Sequence, residues 1–347
     1  MMRVAVVAGD PGGANALVPV IQLLQQTGHA VHLHAYAQAE TLWRAKGWQV
    51  AAAKSVELDG VDVLLTGTSV NPEMFEQTWW EKAEQQGIPS LAFIDFWTNY
   101  RARFLNAAHE LVLPSQIAAP DEWAKREMVA DGLPSERIVV TGQPLLETLA
   151  QRAPLSPDER IRMRRLCGVD ESRSLAVFVS QPLCEMDRML GRTGGIDERA
   201  VLREVEAVLA EMKRPIALLV RLHPREDAVD FTSLGQAWPD TRLEMALAPH
   251  DLLRAADVVI GIHSMLLLEA CYLGCKVLSY QPGGQKTDPL PSNRFGWSKG
   301  VYRREALVNV LGALLDGISV VEPPPVDGHS CNRLITQLEE LVASKKE

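Results

Sequence analysis

The chain has 347 residues, of which 47% are hydrophobic and 23% charged, and it carries a formal net charge of −9. This length suits two domains, and the mixture is typical of globular proteins. The negative charge argues against nucleic acid as the main partner, because nucleic acids bind basic surfaces. The 5 cysteines are an odd number, which favours buried free thiols over a disulfide framework.

The first half of the chain alternates short apolar segments with helical ones. The predicted strands are 3–8, 29–35, 61–66, 89–95, 110–114 and 137–141, and the predicted helices are 16–26, 39–46, 73–86 and 121–131. Strands separated by helices of about ten residues or more call for parallel βαβ units. This half therefore predicts a doubly wound parallel sheet.

The alternation stops at residues 149–173, a charged segment that contains Pro154 and Pro157, and then begins again. The predicted strands of the second half are 174–180, 215–221, 242–245, 257–261 and 276–280, with helices at 197–212, 250–255 and 264–273. We predict an α/β protein with two Rossmann-like doubly wound parallel-sheet domains that face a cleft. Their bounds are 1–148 and 174–330, with a linker at 149–173 and a C-terminal helix at 331–347.

The second half carries polar residues directly after predicted strands. Ligands of open parallel sheets bind at the carboxyl ends of the strands, and a helix that begins there offers N–H groups and a positive dipole end to phosphate. We therefore predict a nucleotide diphosphate site in this half. Its candidate residues are Gln181, Arg221, His223, His263, Ser264, Met265 and Glu269, with Glu269 suited to ribose hydroxyls and Lys286 as a further phosphate contact. The alternatives are structural: Ser264 as an ordinary helix cap and Gln181 as part of a simple turn.

Two acidic residues follow predicted strands in the first half. Asp10 lies in the Gly-rich segment 9–13, and Asp95 precedes a group of aromatic residues. Either carboxylate suits a general base for an acceptor hydroxyl, and the aromatic surroundings predict a raised pKa for Asp95. Each of these features also has a structural alternative. The aspartates could cap helices, and the glycines could serve a tight turn. The aromatic residues could pack in the core.

Four short segments resemble the GT-B glycosyltransferase superfamily. Residues 8–15 are similar to the acceptor-side loop of lipid A disaccharide synthases and peptidoglycan GlcNAc transferases, and residues 137–144 to the strand and turn that close their first domain. His223-Pro224 and His263-Ser264 resemble motifs of CDP-glycerol glycerophosphotransferases and UDP-GlcNAc 2-epimerases. The helix from Ser264 through Glu269 resembles the superfamily's phosphate- and ribose-binding helix.

The resemblance implies a nucleotide-sugar donor, a saccharide or lipid-linked acceptor, and acceptor-side residues Gly12, Gly13 and Asn15. Where the synthases carry Asp and the GlcNAc transferases His, this chain has Ala14. The catalytic group of those families is therefore missing here or replaced by Asp10 or Asn15. Residues 262–265 also depart from the acidic-Ser-Gly-Gly loop of the epimerases.

We therefore expect a metal-independent glycosyltransferase without a cofactor, acting in surface polysaccharide or glycolipid synthesis. No Asp-x-Asp motif occurs in the chain. The alternatives are a UDP-sugar 2-epimerase and a non-catalytic sugar-nucleotide binding protein. No apolar run approaches the roughly 20 residues that span a bilayer, so we expect a cytoplasmic protein, and peripheral contact with the inner membrane face stays open.

Overall fold

The protein divides into two compact units. The computed structural model describes residues 1–70, 75–106, 108–189, 191, 195–231, 234–284, 287–318 and 322–345. The first unit comprises Met1–Gln151 and Val326–Glu347, and the second comprises Arg152–Pro325. Most of the predicted linker thus belongs to the second unit, and the C-terminal helix belongs to the first.

The first unit contains a seven-stranded parallel sheet. Its elements are β1 (Arg3–Ala8), α1 (Pro11–Gln26), β2 (Ala30–Ala35), α2 (Ala37–Ala45), β3 (Ala51–Ala52), β4 (Val63–Thr66), α3 (Phe75–Gln85), β5 (Ser90–Phe93), β6 (Gln116–Ala119), α4 (Glu122–Ala130), β7 (Ile138–Val140) and α5 (Pro144–Ala150). The strand order is β3-β2-β1-β4-β5-β6-β7.

Apolar residues at helical and strand spacing explain how this sheet is covered. In β1 every residue after Arg3 is buried, as expected for a central strand of a parallel sheet. Helix α1 starts with Pro11, whose fixed φ suits a first turn. It buries Leu17, Ile21 and Leu24 on one face.

The second unit contains a six-stranded parallel sheet. Its elements are α6 (Pro157–Leu166), β8 (Ser174–Val179), α7 (Leu183–Met189), α8 (Glu198–Met212), β9 (Ile216–Arg221), β10 (Thr241–Leu243), α9 (Pro249–Ala255), β11 (Val258–Gly261), α10 (Met265–Tyr272), β12 (Val277–Tyr280), α11 (Pro291–Arg294), β13 (Lys299–Val301) and α12 (Arg304–Leu315). The strand order is β10-β9-β8-β11-β12-β13.

The last helix of the chain, α13 (Ser330–Ser344), packs against the first unit. Leu334 and Leu338 are fully buried in that unit's core. The Ser330 amide donates to the Glu147 carboxylate at 2.8 Å, and Arg333 Nε donates to the Thr141 carbonyl at 2.8 Å. These contacts explain why the predicted terminal helix is part of the first unit.

Both sheets have the order of a doubly wound fold, so the predicted fold class of two parallel-sheet α/β domains is confirmed. One predicted strand is wrong: residues 110–114 precede β6 rather than forming it. Asn106 Oδ1 accepts from the amides of Ala108 and Glu110 at 2.9 Å each, which fixes a turn there, and Pro114 lacks the amide that a ladder requires. Among the described residues, no helix is long and apolar enough to cross a membrane.

Candidate functional site

Two predicted site residues meet at the centre of the second sheet. Strand β8 is followed by Gln181 and the neighbouring strand β11 by His263, and crossovers leave these two strands in opposite directions along the sheet. Gln181 Oε1 accepts from the His263 amide at 2.9 Å, and Gln181 Nε2 lies 3.4 Å from His263 Nδ1. Such a switch point is where open α/β sheets bind ligands.

The helix α10 begins at the same place. Ser264 is its N-cap, and the Ser264 hydroxyl oxygen accepts from the Leu266 amide at 3.2 Å. The helix then starts at Met265, whose backbone lies in the first turn, with its positive dipole end towards the switch point. Ser264 is therefore a helix cap, as the structural alternative expects, because its hydroxyl oxygen accepts a hydrogen bond from the helix. The hydroxyl proton can still be donated to a ligand.

His223 follows β9, the other neighbour of β8. Its Nδ1 accepts from the Arg225 amide at 3.2 Å, which leaves the proton on Nε2 in the neutral ring. Burial lowers the pKa of His223 to about 4, and the positive charge of Arg225 acts in the same direction. The ring is therefore a neutral Nε2–H donor at physiological pH.

Glu226 holds this loop in place and was not found from the sequence. Its carboxylate accepts from the His223 amide at 2.6 Å and from the Ser180 hydroxyl at 2.7 Å, so it ties the end of β9 to the end of β8. Burial raises the pKa of Glu226 above its ordinary value. The spacing of three residues after His223 was the available signal, because a carboxylate there can reach back to a turn amide.

Glu269 and Arg221 are both engaged with protein groups. Glu269 Oε2 lies 2.6 Å from Nε2 of His250, a residue of α9 that the sequence analysis missed. Arg221 donates to the carbonyls of Leu247 at 3.0 Å and Glu244 at 3.4 Å, so its guanidinium braces the loop after β10. One guanidinium nitrogen of Arg221 is thus occupied by that loop, and its role at the phosphate stays a prediction. Lys286 lies outside the described residues.

The Gly-rich segment of the first unit is closely packed. A Cβ at Gly12 would lie 2.0 Å from the Asp95 carboxylate, and one at Gly13 would lie 3.3 Å from the Cα of Gly67. These glycines allow α1 to approach the ends of β4 and β5, which supports the tight-turn alternative. Asn15 is half-buried on α1.

Asp95 is an ion-paired residue. Its Oδ1 accepts from Arg103 at 2.7 Å, and both side chains are about nine-tenths buried, at 11% and 9% exposure. Arg103 also donates to the Thr68 hydroxyl at 3.0 Å. The predicted apolar setting of Asp95 is therefore incorrect, because a buried guanidinium supplies its main contact.

The aromatic residues near Asp95 pack in the core of the first unit. Trp80 and Phe104 stack with ring centroids 5.4 Å apart, and both are almost fully buried. Trp97 Nε1 donates to Asp121 at 2.7 Å, and the Tyr100 hydroxyl donates to Glu127 at 2.7 Å. The core alternative is therefore the correct one for these rings.

Asp10 lies at the N-terminus of α1, beside a buried carboxyl group. It interacts electrostatically with Glu76 and Tyr36. The Tyr36 hydroxyl donates to Glu76 Oε2 at 2.5 Å, and the Ser69 hydroxyl donates to the same oxygen at 3.1 Å. Glu76 could not be singled out from the sequence, because nothing in the helical pattern indicates that this carboxyl group is buried.

Among the described residues, one group of side chains has the spacing of metal ligands. Cys184, Asp197 and Glu198 place three ligand atoms within 4.8 Å of one another. Asp197 already accepts from two amides at the start of α8, and structural zinc uses about four ligands. Glu198 of this group acts electrostatically on Glu226, the residue that holds the His223 loop.

Several solved structures share this architecture over nearly the whole chain. UDP-GlcNAc 2-epimerase from Methanocaldococcus jannaschii, in complex with UDP-GlcNAc and UDP, is similar with a TM-score of 0.70 and 14% identity, over 98% of this chain and 100% of that one. HepE from Anabaena in complex with UDP-glucose has a TM-score of 0.61 at 12% identity, over 99% and 97%. The glycosyltransferase of kitacinnamycin has a TM-score of 0.57 at 16% identity, over 99% and 96%.

No family model matches the sequence, and no curated protein matches it. The structural likeness confirms the fold class that the sequence predicts. The chain has the GT-B type of fold that glycosyltransferases and UDP-GlcNAc 2-epimerases share.

Proposed function

We propose that this protein is an enzyme that binds a nucleotide-activated sugar and transfers the sugar to a hydroxyl acceptor. The observation that carries the proposal is the convergence of hydrogen-bond donors at the switch point of the second sheet. Gln181 and His263 are bonded to each other there, α10 begins beside them, and neutral His223 follows the adjacent strand. Uncharged donors and a helix N-terminus suit a diphosphate without a metal ion.

The residues of the second unit would stabilise the leaving nucleotide. As the sugar's anomeric carbon separates from the diphosphate oxygen, negative charge grows on that oxygen. His223 Nε2–H, the Ser264 hydroxyl and the first amides of α10 would donate to it, and preoriented donors of this kind lower the barrier. Glu269, held by His250, would accept from the ribose hydroxyls.

The first unit would supply the base. The acceptor oxygen forms the new bond to the anomeric carbon while its proton passes to a carboxylate. We assign this carboxylate to Asp10 rather than to Asp95, because the oxygen of Asp95 nearest to Arg103 is already in a buried ion pair. Gly12, Gly13 and Asn15 would line the same side.

The acceptor, the biosynthetic process and the cellular location are inferred from the resemblance to GT-B glycosyltransferases. We propose a saccharide or lipid-linked saccharide as acceptor, in the assembly of a surface polysaccharide or a glycolipid, with the enzyme in the cytoplasm.

A UDP-sugar 2-epimerase is the second candidate. It is favoured by the higher TM-score to an epimerase, 0.70 against 0.61 for HepE. An epimerase needs no acceptor, and it would change the configuration of the sugar while keeping it attached to the nucleotide.

Product analysis separates the two candidates. The purified chain is incubated with UDP-, GDP- and CDP-sugars, with and without saccharide acceptors, and the products are identified by mass spectrometry and NMR. We expect acceptor-dependent release of nucleoside diphosphate, reduced about 10²–10⁴-fold in Asp10→Asn because a general base typically contributes that much. His32→Ala, an exposed change on β2, is the control. If a 2-epimer of the donor sugar formed without acceptor, the protein would be an epimerase and the transferase proposal would be wrong.

A further inference from the structure

Glu76 is a buried carboxyl group in the first unit, and the side chains of the described residues donate to only one of its oxygens. The residue is 3% exposed. Its Oε2 accepts from Tyr36 at 2.5 Å and from Ser69 at 3.1 Å. Its Oε1 is buried and makes no hydrogen bond among the described residues. A buried carboxylate with a bare oxygen is costly, so this arrangement favours the protonated group.

The elements around Glu76 meet at the carboxyl edge of the first sheet. Tyr36 follows β2, Ser69 follows β4, and Asp10 follows β1. Gly9 lets the ring of Tyr36 lie against the backbone next to Asp10, since a Cβ at Gly9 would be 2.0 Å from that ring. The cluster therefore adjoins the residue to which the base is assigned.

The charged and titratable groups facing Glu76 are few. The charge of Asp10 disfavours the ionised form of Glu76, whereas the hydrogen bond from the Tyr36 hydroxyl favours it. Arg103 contacts Thr68, the residue before Ser69 in the chain, and its charge is paired with Asp95. Burial, helped by the charge of Asp10, raises the pKa of Glu76 to about 7, against the opposing hydrogen bonds from Tyr36, from the backbone amide of Glu76 and from Ser69.

We propose that Glu76 is a positioning residue that forms a coupled carboxyl pair with Asp10 and sets the proton affinity of that base. This inference rests on the proposed function. When Glu76 is protonated, Asp10 is the one ionised carboxylate of the pair. When Glu76 loses its proton, its charge favours the transfer of the acceptor hydroxyl proton to Asp10, because two adjacent carboxylates disfavour double ionisation.

The proton balance is simple. The acceptor oxygen loses its proton to Asp10 as the oxygen–carbon bond to the sugar forms and the diphosphate oxygen leaves with the bonding electrons. Glu76 takes part through its charge alone, and its own proton is exchanged with solvent between turnovers.

The test compares Glu76→Gln, Tyr36→Phe and the wild-type chain. The turnover number is measured from pH 5.5 to 8.5 under saturating donor and acceptor, and the carboxyl carbons of ¹³C-labelled Asp and Glu are titrated by NMR without substrate. Glu40→Gln is the matched control, because it removes a half-buried carboxylate that pairs with Arg44 on α2.

We expect a wild-type rise in turnover, on the order of tenfold, across the ionisation of Glu76. The NMR signal of Asp10 should follow the same inflection. Glu76→Gln should stay at the low-pH level with neither inflection, because glutamine matches the protonated carboxyl. Tyr36→Phe should move both inflections to higher pH, since it removes a donor to the ionised form. Glu40→Gln should match the wild type.

The two readouts separate this inference from the function. The proposed coupling would be wrong if the NMR titration of Asp10 showed no inflection at the ionisation of Glu76. It would also be wrong if Glu76→Gln had the same pH dependence of turnover as the wild type. An unmoved inflection in Tyr36→Phe would also contradict the coupling. Coupled NMR titration in a chain that turns over no sugar nucleotide would support the pair and contradict the transferase.

Discussion

His223 shows how burial can turn a titratable residue into a permanent hydrogen-bond donor. Its Nδ1 is occupied by the Arg225 amide, and its pKa is lowered to about 4. A histidine with an ordinary pKa near 6.5 would gain a charge in mildly acidic solution and bind phosphate more tightly there. A neutral donor gives the phosphate a hydrogen bond without this pH dependence.

We therefore predict that His223 contributes equally to nucleotide affinity from pH 5.5 to 8. The nucleoside diphosphate is titrated calorimetrically into the wild-type chain and into His223→Ala at several pH values. The ratio of the two dissociation constants should stay constant, because the side chain does not change its charge in this range. A ratio that grows several-fold towards pH 5.5 would show that the ring is protonated and contradict this account.

Glu76 makes the stability of the folded protein depend on pH. Its pKa is raised from 4.5 to about 7, so the folded protein binds one proton more than the unfolded chain between these values. Stability from this group is fully present below pH 4.5 and is lost as the pH rises through 7. The shift corresponds to about 3 kcal/mol, since each unit is worth about 1.4 kcal/mol.

We predict that Glu76→Gln becomes more stable relative to the wild-type chain as the pH rises. The difference in the free energy of unfolding, measured by urea titration, should change by about 3 kcal/mol in favour of the variant between pH 4.5 and 7.5. Glu40→Gln, which alters a half-buried residue paired with Arg44, should show no such trend. Parallel curves for wild type and Glu76→Gln would mean that Glu76 ionises normally in the folded protein.

At the scale of elements, the close packing of α10 on the second sheet depends on Gly261. A Cβ there would lie 2.9 Å from the Val179 carbonyl of β8 and 3.1 Å from Leu267 of α10. Backbone cannot yield as a flexible side chain can. The residue therefore keeps the start of α10 close to the end of β8, where Gln181 and His263 meet.

We predict that Gly261→Ala destabilises the protein by about 1–3 kcal/mol, the usual cost of overpacking, and weakens nucleotide binding as well. Gly312→Ala is the matched control. Gly312 lies inside α12, and its new Cβ would meet only Met212 at 3.8 Å. That variant should be more stable by up to about 1 kcal/mol, because alanine favours the helix. Thermal unfolding measures the change in stability of both variants. Equal changes in Gly261→Ala and Gly312→Ala would show that close packing at Gly261 is not the cause.

The sequence predicted the elements better than the side-chain partners. The apolar alternation predicted both parallel sheets, and the segment 257–273 predicted the strand, loop and helix around Ser264, because these patterns are local. The partners came from far along the chain. His250 reaches Glu269 and Arg103 reaches Asp95 only once the fold is formed, and neither pair has a spacing signal. The predicted linker was assigned from its charge, yet Arg160 and Arg164 pair with Asp257 of the second unit.

At the scale of the whole molecule, each unit has its own chemistry. The second unit offers neutral donors and a helix N-terminus, which suit a diphosphate. The first unit offers carboxyl groups at the corresponding edge of its sheet, which suit proton transfer. The central claim is that the nucleotide binds at the switch point of the second sheet.

Calorimetric titration of nucleoside diphosphates into the full chain tests this claim most directly. UDP, GDP and CDP are titrated into the wild type, the His223→Ala, Ser264→Ala double variant, and His32→Ala as control. Losing one hydrogen bond to a charged group costs about 1.5–3 kcal/mol, so the double variant should bind at least about tenfold more weakly, and His32→Ala should bind as the wild type does. Equal affinity of the double variant and the wild type would contradict the site.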